Sequence, residues 1–123
     1  REGLPGYDWV GFYLVDPVRP RELLLGPFAG ADTDHRRIPF GRGLCGQVAE
    51  SELTMVVDDV QAADNYLSCS MDVRSEHVVP ILVEGRFVGQ LDIDSHAAAR
   101  FGPEDRRLCE RICARLAEGP LFR

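Results

Sequence analysis

Two aspartates, Asp92 and Asp94, stand two residues apart in the run GQLDIDS, with Leu91 and Ile93 alternating between them. In a strand, the period of two sends both carboxyl groups to one face and the two apolar side chains to the other. A strand end reaching solvent would account for such a pair blandly. Two acids inside an otherwise apolar run are better explained by a cationic or proton-donating ligand on their face. Glu76 can join them only if the hairpin HVVPILVEGRFVGQLDID is irregular. A strict two-residue turn places Glu76 opposite to the face of Asp94, whereas a three-residue loop, or a bulge near Pro80, brings it level. A site built from these three acids therefore predicts a register irregularity in this hairpin.

Two thiols have the setting of reactive ones. Cys69 lies between Ser68 and Ser70 in the polar, aperiodic stretch QAADNYLSCSMDVRSE, an unusual place for a structural cysteine, since unreactive ones are generally buried. Cys45 sits between glycines in FGRGLCGQVAE, near a helix start whose unpaired backbone N–H groups favour a thiolate. The separation of these two does not match the close pairs of a structural zinc site, and His35, His77 and His96 form no ligand pattern with them, so no metal is expected. Cys109 and Cys113, one helical turn apart, read as small core residues, and His77, within an apolar strand, as a packed core histidine.

The elements that must hold these groups follow from periodicity. YDWVGFYLVD and RELLLGPFAG read as two arms of a hairpin. On the first arm Trp9, Gly11 and Tyr13 share one face, a floor of aromatics with a dent at the glycine, and Val10, Phe12 and Leu14 share the other, which reads as core. GLCGQVAESE predicts a short helix, LTMVVDDV a strand, and FGPEDRRLCERICARLAE an amphipathic helix. In that helix Pro103 stands at the first position, Glu104 and Asp105 in the first turn, and Leu108, Ile112 and Leu116 on one stripe. The order predicts an α+β fold, an antiparallel sheet with helices packed on it, as a single domain over residues 1–123.

At 123 residues the chain is long enough for a real core, and it carries no apolar run of membrane-spanning length. Its 20 acids against 14 bases, a net charge of −6, argue against a nucleic-acid partner. Four cysteines without a leader-like segment predict reduced thiols and a cytoplasmic location.

Taken together, DWVGFYL, LLLGPFAG, IPFGRGLCG, VVDDV, a cysteine six residues before SEHVVPI, GQLDIDS and RFGPEDRRLCERI resemble the free methionine-(R)-sulfoxide reductases, an enzyme family of GAF fold. The resemblance runs from Asp8 to about Leu116, and it is the combination in this order that is specific. It implies a reductase acting on the R epimer of free methionine sulfoxide, with no bound cofactor and a thioredoxin-like dithiol as external reductant and partner. By position Cys69 corresponds to the family's nucleophile and Cys45 to a partner cysteine. Glu76, Asp92 and Asp94 correspond to the carboxylates that hold the ammonium and the sulfoxide oxygen, Asp94 or Asp92 serving as proton donor. Trp9 and Tyr13 correspond to the aromatic pair against the methyl group. Position 35, where the family carries another cysteine, is His35, and the family's N-terminal helix has no counterpart ahead of Arg1. A reading from a different class is a GAF sensor module that binds a small molecule without turning it over. Homodimerisation is left open.

Overall fold

In the computed structural model, residues 6–62 and 73–120 are described. They form β1 (Trp9–Val15), β2 (Glu22–Ala29), β3 (Arg37–Pro39), α1 (Gly43–Ser51), β4 (Met55–Val57), a 3-10 turn (Val60–Ala62), β5 (Ser75–Val83), β6 (Arg86–Ser95) and α2 (Pro103–Glu118). The strands make one antiparallel six-stranded sheet in the order β3-β2-β1-β6-β5-β4. One helix lies on each face, the α+β arrangement expected from the order of elements. None of the described helices is long and apolar enough to cross a membrane.

β6 is central to the site because it is flanked by β1 and β5. On one side Trp9 pairs with Asp94, Gly11 with Asp92 and Tyr13 with Gln90. On the other side Glu76 pairs with Asp94, Val78 with Asp92 and Pro80 with Gln90. Directly opposed residues point the same way, so Glu76, Asp92 and Asp94 share the α1 face. The hairpin does contain the irregularity that this requires. Val83 pairs with Arg86 and Leu82 with Phe87, but Ile81 pairs with Gly89, leaving Val88 as an extra residue. Glu84 and Gly85, with φ of 52° and 81°, make a two-residue turn of the kind that closes hairpins. Without Val88 as a bulge, Glu76 would face Ile93's side of the sheet.

Beneath α1 lies a core of Trp9, Tyr13, Leu23, Ile38, Cys45, Val48, Ala49 and Val78, and beneath α2 a second, containing Tyr7, Val79, Ile81, Leu91, Ile93, Phe101, Cys109, Cys113 and Ala117. Two expectations are corrected here. Val10 and Phe12 pack against the core beneath α2, but with Leu14 they are only half-buried, because α2 packs chiefly on β5 and an apolar groove of about 350 Å3 stays open between β1, β2 and α2. Of the stripe, Leu116 packs against the core, but Leu108 and Ile112 border that groove, Ile112 being 40% exposed, while Cys109, Cys113 and Ala117 form the buried line of the helix. Small residues let the helix lie close to the sheet. Burial pushes the Cys109 thiol up to about 11 and that of Cys113 to about 12, which fits inert core cysteines. At the start of α2 the Gly102 N–H donates to the Asp105 carboxylate at 2.9 Å, and Pro103 takes the first position.

His77 is fully buried on the α2 face, its ring 5.5 Å from that of Phe101, with no hydrogen-bond partner on either nitrogen among the described residues. Burial lowers its pKa from 6.5 to about 4, against opposing pulls from Asp105 and Glu110 and with Arg106 adding to the lowering. In the unfolded chain the imidazole takes up its proton near pH 6.5, and in the folded one only near pH 4. Its contribution to stability is therefore complete above pH 6.5 and is lost as the pH falls towards 4. His77→Leu should unfold at much the same urea concentration as the parent at pH 7.5 and at a higher one at pH 5. Equal losses for both proteins between those pH values would remove His77 as a source of acid lability.

Candidate active site

The site grows from the first turn of α1. Gly41 and Gly43 adopt φ of 91° and 66°, which lets the chain turn sharply from β3 into the helix. A Cβ on Gly46 would lie 2.7 Å from the Pro39 carbonyl oxygen and 2.9 Å from the Gly41 backbone. The glycines around Cys45 thus allow the helix to rest directly on the preceding backbone, and this contact sets the height of the thiol above the sheet. Gln90 donates to the Cys45 carbonyl at 3.0 Å and ties the turn to β6.

The Cys45 thiol donates to Asp92 Oδ2 at 3.4 Å. Cys45, Glu76 and Asp92 each offer a donor atom within 4.8 Å of the others, and all three residues are buried. Asp94 is one strand position pair further along, 1% exposed, with Trp9 and Glu76 on its two sides. Burial raises the Asp92 carboxyl above the ordinary carboxylate range, against the lowering effect of its contacts with Glu76 and Cys45. Desolvation favours its protonated form. The wall of the small pocket here consists of Tyr13, His35, Ile38, Arg42, Cys45, Glu76 and Asp92. Its free volume is about 10 Å3, close to the space of one water molecule.

The structure brings Tyr13, Cys45, Glu76 and Asp92 around one pocket and puts Asp94 beside them. Trp9 shares the face but does not line the pocket. The expected dent in the floor is filled: the Trp9 indole lies over Gly11, where a Cβ would come within 2.3 Å of it, and stacks on Phe28 at 5.6 Å between ring centroids. Cys69 lies outside the described residues. Two neighbours were missed from sequence. Gln90 had a signal, since it stands two before Asp92 on the same strand face. Arg42 had none, because loop packing carries it to the pocket, and His35, singled out only as standing where the family carries a cysteine, also lines this wall. Tyr13 donates to the His35 carbonyl at 2.8 Å and Trp9 to the Ala31 carbonyl at 2.9 Å, so the two aromatics anchor the segment that supplies this wall.

The GAF domain family model matches residues 4–119. The chain is 36% identical to the free methionine-R-sulfoxide reductase of Escherichia coli over 115 residues, 94% of this chain and 67% of that one. A type II free methionine-R-sulfoxide reductase from Thermoplasma acidophilum superposes with a TM-score of 0.89 at 37% identity, covering 94% of this chain and 80% of that one. The free methionine-R-sulfoxide reductase from Neisseria meningitidis, in complex with its substrate, superposes with a TM-score of 0.77 at 42% identity, covering 94% and 73%. The chain spans about two thirds of the length of the curated relatives it matches, from 63% to 67%. With this sheet order, these carboxylates and these relatives, the chain belongs to the free methionine-R-sulfoxide reductases, within the GAF domain family.

Proposed function

We propose that this chain reduces free methionine-R-sulfoxide to methionine by thiol chemistry, with Cys69 as nucleophile and Cys45 as its resolving partner. The observation that carries the reading is the buried set of Glu76, Asp92 and Asp94 on one sheet face, with a thiol in contact with one of them. Carboxylates are costly to bury without a positive partner, and the ammonium of a free amino acid supplies one. Glu76 and Asp94 hold it, and Tyr13, with Trp9 packed beside it, gives the methyl group an apolar wall.

In the first step the Cys69 thiolate attacks the sulfoxide sulfur and takes over its oxygen. Asp92, whose protonated form burial favours, donates the proton, methionine leaves, and Cys69 becomes a sulfenic acid. Cys45 then attacks that sulfur; a disulfide forms and water departs with the Cys45 proton. A thioredoxin-like dithiol regenerates both thiols by exchange.

Free methionine released per protein, measured without reductant and then with thioredoxin and its reductase, tests the scheme. Cys69→Ser should release none in either condition. Cys45→Ser should release one equivalent in the first and lose sustained turnover in the second. Release of methionine by Cys69→Ser would overturn the assignment of the nucleophile, and undiminished turnover by Cys45→Ser would overturn that of the resolver.

A further inference from the structure

The donors that surround Asp92 are unlike an ordinary buried carboxylate shell. One oxygen accepts the Cys45 S–H at 3.4 Å, and the other, Oδ1, has no hydrogen-bond partner among the described residues although Asp92 is fully buried. The carboxyl group is also in hydrogen-bonding contact with that of Glu76. A thiol and two carboxyl groups thus converge, each with a donor atom within 4.8 Å of the others.

We propose that Cys45, Glu76 and Asp92 form a capture site for a soft divalent cation of the zinc type. A tetrahedral ion with one sulfur at about 2.3 Å and one oxygen at about 2.0 Å sets those two ligand atoms about 3.5 Å apart. The Cys45–Asp92 separation is 3.4 Å before any ion has arrived. One thiolate with two carboxylates suits zinc or cobalt(II) and not the all-oxygen shells of magnesium and calcium. Three protein ligands leave a fourth position for water. Asp94, paired with Glu76 across the strands, adds negative charge nearby, and the N-terminal turn of α1 stabilises the thiolate. Arg42, on the same wall, works against the cation. Sequence spacing hid this set because its members come from α1, β5 and β6.

Capture breaks the Cys45 S–H bond and sends its proton to solvent. Affinity therefore rises with pH. Resting on the functional reading above, the ion and the ammonium of a free amino acid compete for the same carboxylates, so the metal acts as an inhibitor and not as a cofactor.

Cobalt(II) is a direct probe, since thiolate ligation produces a sulfur-to-cobalt charge-transfer band. Titrated under anaerobic reducing conditions, the parent protein and Cys69→Ser should both bind one cobalt per chain with that band, more tightly at pH 8 than at pH 6. Cys45→Ser should lose the band, and Asp92→Asn should bind at least tenfold more weakly, with circular dichroism verifying that both remain folded. Absence of the band from the parent, or its survival in Cys45→Ser, would overturn the site. Free methionine sulfoxide should weaken cobalt binding. A band that obeys the mutants but ignores the sulfoxide would uphold the metal site and count against the functional reading alone.

Discussion

Glu76→Gln should raise KM for free methionine-R-sulfoxide by about a hundredfold or more, without lowering the melting temperature. Removing one member of a buried, hydrogen-bonded charge pair costs about 2–5 kcal/mol, and each 1.4 kcal/mol is about a factor of ten. The amide keeps the shape of the side chain and its place opposite Asp94 on β5. It loses the charge that holds the ammonium. In the empty protein the same change removes one of three acids buried at 3%, 0% and 1% exposure, so like-charge repulsion and desolvation both fall. Weaker substrate binding with undiminished stability is the signature of a group kept for binding. A KM within about threefold of the parent would take Glu76 out of the ammonium site.

Gly46→Ala should cost about 3 kcal/mol, the upper end for an overpacked interior, and lower the melting temperature by about 10 °C. The new methyl would meet the Pro39 carbonyl oxygen at 2.7 Å and the Gly41 backbone at 2.9 Å. Backbone cannot rotate aside as a flexible side chain can, so α1 must lift, carrying Cys45 away from Asp92. Sustained turnover should fall more than the single release of methionine, because only resolution needs Cys45. A melting temperature within about 2 °C of the parent would show that the helix start is not held by this contact.

Much of the site was legible because strands obey a period of two. Asp92 and Asp94 on one face, Trp9 and Tyr13 across from them, and the need for a bulge to bring Glu76 level all follow from counting residues. The bulge itself lies at Val88, opposite Ile81 and Leu82, one residue beyond the suggested Pro80. β3 was not legible. Three residues have no periodicity, and Arg37 owes its place to ion pairs with Asp16 and Glu22 at 2.6 and 2.9 Å. The division of burial between the two faces of β1 was also hidden, since it depends on where α2 settles. That in turn depends on Cys109 and Cys113, small enough to let the helix sit over β5 and leave Phe12 at the edge of a groove. The dent at Gly11 was read correctly as missing volume but not as the space that the Trp9 indole takes.

The central claim is that buried carboxylates select a free amino acid. Its most direct test is NADPH consumption coupled through thioredoxin and its reductase, with free L-methionine-R-sulfoxide, the S epimer and the N-acetylated R form offered separately. The account predicts turnover on the free R form alone, abolished in Cys69→Ser. Comparable turnover on the N-acetylated form would contradict it, because that molecule has no ammonium for Glu76 and Asp94 to hold; no turnover and no methionine release on any of the three would point instead to a GAF domain that binds a ligand without reducing it.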